Sequence, residues 1–368
     1  MTRSPLALPD FPWDSLVPFD ATARTHPDGM VDLSVGSPVD PTPAMIRESL
    51  AAATDAHAYP TTTGTVQLRE AIVDWFERRR GVTGLTVDHV LPTVGSKELV
   101  ALLPLLLGLN KSDAVVFPTV AYPTYAIGAA LVGATAVVSD DPAEWPENTA
   151  LVWLNSPGNP DGRVLDPDQL RAAVKRAREL GAVIASDECY AEMNWNGSEP
   201  TPSILDPEVV GDDLSSVLAV YSLSKQSNLA GYRAAFVAGC SNLISELLAV
   251  RKHVGLLVPG PVQAAMATAL NDDEHVTQQR ELYRARRAKL LPALTNAGFR
   301  VDDSEAGLYL WATKNEDSWQ TVGDLAQAGI LVVPGSFYGE KPPRHVRIAL
   351  TASDDAIADA VARLDLLA

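Results

Sequence analysis

Cysteine is almost missing: Cys189 and Cys240 are the only two in 368 residues. That excludes a disulfide framework and a cysteine-ligated metal, and it fits a reducing, cytoplasmic setting. Histidine is scarce too, and His26, His57, His89, His253, His275 and His345 show no metal-ligand spacing. Basic residues are outnumbered, 29 Lys plus Arg against 46 Asp plus Glu, which leaves a net charge of −17. Such a surface repels nucleic acid and anionic membranes at long range, so a small-molecule ligand is expected and DNA, RNA and lipid are not. No long apolar run exists: the longest uncharged stretch, Leu99 to Leu109, falls well short of the ~20 residues a membrane span needs and predicts a buried helix. The start, Met1-Thr2-Arg3-Ser4-Pro5, lacks the pattern of a secretion signal, so no export is expected. Neither a Gly-x-x-x-x-Gly-Lys-Ser loop nor a Gly-x-Gly-x-x-Gly fingerprint occurs, which removes the nucleotide-binding enzymes.

What is present is a chain with 46% hydrophobic and 20% charged residues, enough to bury a sizeable core. Its length exceeds what one core usually organises. We expect an arm and part of a smaller domain over 1–43, a large domain over 44–270, and a small C-terminal domain over 271–368 entered by a long helix. Up to Pro43 the chain is rich in Pro, Asp and Thr without a sustained period, and reads as an extended arm. Helices are predicted around Met45–Thr54, Val66–Arg80, Asp168–Leu180, Val262–Leu270, from about Asp273 to Asn296, and over Asp354–Leu367. Short apolar runs at Val115–Phe117, Thr135–Val138, Leu151–Leu154, Val183–Ala185, Val217–Val220 and Ala234–Val237 predict strands. Apolar strands alternating with helices mean an α/β fold: a mostly parallel central sheet sandwiched by helices. Strand candidates Gly307–Trp311, Ile330–Val333 and Val346–Ala349 add a smaller α+β part.

In an open parallel sheet, ligands bind beyond the carboxyl ends of the strands. Three such ends carry polar residues. Leu151–Leu154 runs into Asn155-Ser156-Pro157-Gly158-Asn159-Pro160-Asp161-Gly162, Val183–Ala185 ends at Ser186-Asp187-Glu188-Cys189-Tyr190, and Val217–Tyr221 ends at Ser222-Leu223-Ser224-Lys225. A fourth feature, Gly95-Ser96-Lys97, opens an apolar helix whose free N–H groups can hold a phosphate. An amine, a carboxylate, a tyrosine and a phosphate cradle on one sheet edge are the parts a pyridoxal phosphate enzyme requires. Taken singly, each piece has an ordinary structural reading: a solvated lysine, a helix-capping aspartate, a turn, a glycine before a helix.

In combination, Asn159-Pro160-x-Gly162, Asp187-x-x-Tyr190, Ser222-x-Ser224-Lys225 and Arg233 follow the order and spacing of the class I/II aminotransferases of fold type I, which the chain resembles from Gly36 to Val346-Arg347-Ile348. The resemblance implies pyridoxal 5'-phosphate as cofactor and the following roles. Lys225 would hold the cofactor covalently and later move a proton. Asp187 would pair with the ring nitrogen, Tyr190 and Asn159 would bond the ring's phenolic oxygen, and Tyr122 would stack on the ring. Gly95, Ser96 and Lys97 would offer backbone amides to the phosphate, with Ser222 and Arg233. Tyr59, in the turn Tyr59-Pro60-Thr61-Thr62-Thr63-Gly64, would reach the phosphate of a neighbouring subunit, making a homodimer with shared sites. Arg347 would clamp the substrate α-carboxylate, assisted by Gly36. Asp161, where threonine is common, and Ala230-Gly231, where Pro-Gly is common, depart from the commonest subgroup.

Three segments, Ser224 to Arg233, Arg251 to Gln263 and Gly307 to Trp311, resemble actinobacterial N-succinyldiaminopimelate aminotransferases. The resemblance implies transfer between glutamate and an N-succinyl-2-amino-6-oxopimelate in lysine and cell-wall precursor synthesis. An aminotransferase of other specificity, for aspartate or aromatic amino acids, or a C–S β-lyase on the same fold, would share the motifs. A transcription regulator carrying this fold would need a basic DNA-reading domain, for which about 40 residues before the main domain leave no room.

Overall fold

The computed structural model describes residues 8–339 and 344–367. The first seven residues of the expected arm lie outside them. In chain order the elements are α1 (Val17–Ala23), β1 (Val31–Asp32), α2 (Ala44–Ala52), α3 (Val66–Arg80), β2 (Val90–Val94), α4 (Ser96–Leu106), β3 (Ala114–Phe117), α5 (Thr124–Val132), β4 (Thr135–Val138), β5 (Thr149–Asn155), α6 (Pro167–Leu180), β6 (Val183–Asp187) and α7 (Pro207–Val210). There follow β7 (Val217–Ser222), α8 (Leu223–Gln226), β8 (Ala234–Gly239), α9 (Ser241–Val254), α10 (Gly260–Leu270), α11 (Glu274–Asn296), β9 (Arg300–Asp302), β10 (Tyr309–Thr313), α12 (Ser318–Gln327), β11 (Ile330–Leu331), β12 (Val333–Pro334), β13 (His345–Ala349) and α13 (Asp354–Asp365).

The central sheet has seven strands in the order β2-β8-β7-β6-β5-β3-β4. Strands β7, β6, β5, β3 and β4 run parallel, whereas β8 pairs antiparallel with both β7 and β2. The connection from β7 to β8, Leu223–Arg233, contains only one turn of α-helix and a 3₁₀ turn. It is too short for the helical crossover that parallel neighbours need, so the chain turns straight back. Every residue of β7 and β8 is buried, which is why these strands read as unbroken apolar runs. Strand β2 was hidden from pattern reading by Pro92. It lies at the sheet edge, paired only with β8, where a missing N–H can face away from the ladder.

The helices follow local rules. Before α6, Asp166 accepts the Gln169 N–H at 2.8 Å while Gln169 returns a bond to the Asp166 N–H at 3.0 Å, and Pro167 occupies the first helical position. Leu170, Ala173, Val174 and Ala177 then recur at helical spacing and are buried against the sheet. The expected buried helix after Val94 is α4. Leu99, Val100, Leu103 and Leu106 are buried, but Leu105 is 57% exposed, so one face is open.

The C-terminal part builds a four-stranded antiparallel sheet, β12-β13-β10-β9, with its own apolar core. The single strand expected over Ile330–Val333 is split. β11 pairs in parallel with β1, and β12 moves to β13. The N-terminal segment is less extended than its composition suggests. Pro12–Leu16 forms a 3₁₀ turn and Val17–Ala23 a helix, held by Trp13 against Phe337 and by Phe19 stacked on Trp319. Apolar contacts to the C-terminal part fix what propensity alone leaves open. Among the described residues no helix is long and apolar enough to cross a membrane, and no cluster suits a metal ion.

Candidate active site

Asp187 ends β6 and is 8% exposed. Burial pushes its carboxyl group above the ordinary value, while bonds from the Cys189 thiol and backbone N–H and from the Tyr125 hydroxyl pull the other way. The Tyr125 O–H donates to Oδ2 at 3.0 Å and the Cys189 N–H to Oδ1 at 3.3 Å. No cationic side chain pairs with Asp187 among the described residues, so this acid is prepared for a positive group from outside the chain. The next residue pins it in place: Glu188 accepts from Arg80 at 2.9 Å, the Ile204 N–H at 2.7 Å and Ser203 at 3.3 Å.

Lys225 sits in α8, directly after β7. Ser222 starts this turn by accepting the Ser224 N–H at 3.2 Å, and Tyr221 donates to the Gln226 side chain at 2.6 Å. The Lys225 Nζ donates to the Gly36 carbonyl. Arg233, at φ 56°, brings its guanidinium to the start of α4. There Gly95 has φ 78°, and a Cβ on it would fall 2.1 Å from the Arg233 Nη2. Two serine hydroxyls, a guanidinium and the first N–H groups of α4 therefore converge, which is a cradle for a dianion. The first turn of α4 is fixed by Glu98, which pairs with the fully buried Arg251 at 2.8 and 3.0 Å.

Arg347, on β13, is 3% exposed. It donates to the Asn159 Oδ1 at 3.0 Å and to the Ser34 carbonyl at 2.6 Å, and its Nε has no partner. No carboxylate faces it among the described residues. Tyr309 packs beneath it, the guanidinium carbon 3.9 Å from the ring centre. Burial alone would raise the Tyr309 phenol, but the charges of Arg347 and Lys225 hold it below its ordinary value. Its hydroxyl lies 3.2 Å from that of Tyr190. Gly36 must be a glycine here, since a Cβ would stand 2.0 Å from the Tyr309 hydroxyl.

One cavity of about 500 Å³ is lined by Gly36, Ser96, Lys97, Tyr122, Asn159, Asp187, Tyr190, Ser222, Lys225, Arg233 and Arg347. Gly95 stands behind it, against Arg233. Tyr59 is not brought to this cavity and is 97% exposed. Lys97 is exposed, its Nζ 5.8 Å from the Tyr122 ring centre and 5.7 Å from that of Phe11. Pattern reading assigns no role to Tyr125, Tyr309, Phe11 or Trp13. Tyr309 lies inside Gly307–Trp311, singled out as a strand candidate. Phe11 and Trp13 carried no signal, because they come from the arm.

The chain matches the family "Aminotransferase class I and II" over residues 28–364. It is 55% identical over 359 residues to a probable aminotransferase of Mycobacterium tuberculosis, covering 97% of this chain and 85% of that protein. It is 54% identical over 358 residues to the 4-dedimethylamino-4-oxo-anhydrotetracycline transaminase OxyQ of Streptomyces rimosus, covering 97% and 99%. Among solved structures, N-succinyldiaminopimelate aminotransferase from Mycobacterium tuberculosis superposes with TM-score 0.86 at 26% identity, covering 96% of this chain and 97% of that one. An aminotransferase from Neisseria meningitidis does so with TM-score 0.88 at 31% identity, covering 98% and 97%. An acid without a cationic partner, an amine, a dianion cradle and a guanidinium without a carboxylate in one cavity suit pyridoxal phosphate and an amino acid, and with these likenesses the chain belongs to the class I and II aminotransferases, pyridoxal-phosphate-dependent enzymes of fold type I.

Proposed function

We propose that the chain transfers an amino group from glutamate to N-succinyl-2-amino-6-oxopimelate, giving N-succinyl-LL-2,6-diaminopimelate and 2-oxoglutarate, as a cytoplasmic homodimer serving lysine synthesis. The observation that carries this reading is two cations lining one cavity without an acidic partner among the described residues: Arg347, which is buried, and Lys97, which is exposed. Glutamate and the long oxo acid each carry a carboxylate at both ends, and a chain of net charge −17 has little reason to leave two such cations unpaired except for an anionic substrate.

Pyridoxal phosphate would supply an aldehyde carbon that takes up the amino group and a ring that draws in the electrons released at the substrate Cα. In this reading residues 44–270 form the domain that binds it and 271–368 the smaller domain. The Asp187 carboxylate holds the proton on the ring nitrogen, and Tyr125 and Cys189 keep that carboxylate ionised and oriented. Tyr190 and Asn159 bond the phenolic oxygen, and Tyr122 covers the ring. Ser96, Lys97, Ser222 and Arg233 would hold the phosphate, joined by Tyr59 of the partner subunit, while Gly95, whose N–H is bonded to the Thr93 carbonyl, leaves room for the Arg233 guanidinium. Lys225 anchors the cofactor and moves the proton through its Nζ. Arg347 and Gly36 hold the substrate α-carboxylate.

A second reading has its own support. A groove of about 1050 Å³ adjoins the cavity, sharing Phe11, Trp13, Lys97 and Tyr122 and walled further by Phe117, Ile127 and Phe337. This aromatic wall suits a large cyclic ketone, and OxyQ is named for such a substrate. Purified enzyme with glutamate as donor should be offered both acceptors. The first reading expects kcat/KM for the succinylated oxopimelate at least about 100-fold, roughly 2.7 kcal/mol, above that for 4-dedimethylamino-4-oxo-anhydrotetracycline. The reverse order overturns it. Lys225→Ala should abolish turnover with either acceptor, and a variant that keeps most of its activity overturns the assignment of the lysine.

A further inference from the structure

A serine, a histidine and an aspartate are aligned just beyond the cavity. The Ser227 Oγ lies 2.8 Å from the His275 Nε2, and the His275 Nδ1 lies 2.7 Å from the Asp272 Oδ1. This is the bonding order of a nucleophilic triad. Ser227, however, is completely buried, so no substrate reaches its hydroxyl, and the array must act on the fold. Asp272 also accepts the His275 N–H at 3.0 Å. A ring that donates Nδ1–H to this carboxylate keeps Nε2 free to accept from Ser227.

The neighbouring residue is tied to the same helix. Asn228, in the left-handed region at φ 56°, donates to the Gln279 Oε1 at 2.7 Å, and its carbonyl accepts from Thr42 at 3.0 Å. Gln279 in turn donates to Asp40 at 2.8 Å. Arg286 holds both oxygens of Asp40, at 2.8 and 2.6 Å, and reaches Asp354 at 2.8 Å. His275 and Gln279 are one helical turn apart, and Arg286 continues their face of α11. That face therefore grips two pieces of chain at once: the turn that directly follows Lys225, and the segment whose Gly36 carbonyl receives the Lys225 amine. Buried polar contacts of this kind add little net stability over apolar packing, but they permit one arrangement only.

We propose that the polar face of α11, His275, Gln279 and Arg286, positions Lys225 by fixing the Ser227–Asn228 turn relative to the Gly36–Asp40 segment. The proposal rests on the reading of Lys225 as the cofactor-bearing lysine. It makes these side chains positioning residues, with no contact to the reacting atoms.

The test uses Asn228→Gly, which keeps the left-handed backbone without strain and removes the side-chain bonds to Gln279 and to the Pro41 carbonyl, together with Ser227→Ala. Two quantities are read: the rate at which apoprotein captures pyridoxal phosphate covalently, followed by absorbance after rapid mixing, and kcat apart from KM for glutamate. Both variants should stay folded and lose about tenfold or more in capture rate and in kcat, with KM within about twofold, the pattern of a misplaced catalytic group. Wild-type capture and kcat in Asn228→Gly overturn the proposal. So does a loss that matches only a loss of folded protein in both variants. Lys225→Ala, run alongside, should capture nothing; covalent capture there would instead overturn the reading of Lys225.

Discussion

The guanidinium of Arg233 occupies the space that a side chain on Gly95 would need, a Cβ there falling 2.1 Å from the Arg233 Nη2. The two residues lie far apart in sequence, one opening α4 and the other closing the lysine turn, yet they form a single wall. Gly95→Ala must therefore push Arg233 away and also bear φ 78° and ψ 157°, a region reserved almost wholly for glycine that costs another residue about 1–3 kcal/mol. We expect this variant to fold but to hold pyridoxal phosphate at least about tenfold more weakly, roughly 1.4 kcal/mol. Equilibrium dialysis of cofactor against apoprotein checks it. Unchanged affinity would remove Gly95 and Arg233 from the phosphate site.

Asp187 supplies a prediction in pH. Burial raises its carboxyl group above the ordinary value even with three donors opposing, so the folded apoprotein binds this proton more tightly than the unfolded chain does. The stability this gives is complete below the ordinary carboxylate range, about pH 4, and is lost as pH rises through the raised value. As the pH rises toward neutral the apoprotein therefore loses this stabilisation. Asp187→Asn apoprotein should melt at higher temperature than wild type at pH 7.5, and the two should converge as the pH is lowered. With cofactor bound the order should reverse. Melting curves over a pH series decide it, and a variant apoprotein less stable than wild type at pH 7.5 refutes it.

The buried pair behind the site predicts a stability effect. Arg80 and Glu188 have side chains 0% and 1% exposed and lie 2.9 Å apart. Glu188→Gln leaves the guanidinium charge without its counterion, at an expected cost of about 3–5 kcal/mol. Because Glu188 adjoins Asp187, the same variant should lose activity in step with the folded fraction. Urea unfolding followed by circular dichroism checks the first statement, and a shift under about 1 kcal/mol contradicts it.

Tyr59 is 97% exposed, and the proposed homodimer gives it a place in the neighbouring site. If it serves the partner's phosphate, Tyr59→Phe chains mixed with Lys225→Ala chains yield hybrids with one intact site and one doubly defective site. After subunit exchange the mixture should exceed the mean activity of its parents. Activity equal to that mean, or a fully active monomer in sedimentation, returns Tyr59 to an ordinary surface position.

Much of the site was legible because its parts are local. Asn159, Asp187 and Lys225 each follow an apolar run, and a residue just past a buried strand must emerge at the sheet's carboxyl edge. Order and spacing then distinguished Arg233 from other arginines. Pro92 hid β2, since a ladder that lacks an N–H is readable only once the strand is known to lie at an edge. The arm's helix was equally opaque, because Trp13 and Phe19 find their aromatic partners, Phe337 and Trp319, at the other end of the chain.

By itself, then, the sequence determined the strand-and-helix alternation, the edge at which chemistry gathers, and the residue types placed there, because these depend on burial periodicity and on contacts within a few positions. Tertiary structure alone decided that Tyr125 would steady Asp187 from 62 residues away, that Tyr309 would lie under Arg347, and that Gln279 would reach Asp40 across 239 residues. A hydrogen bond or a stacked ring is set by side-chain direction to within fractions of an ångström. That direction is fixed by how α11, the lysine turn and the two sheets pack together, and no spacing along the chain encodes it.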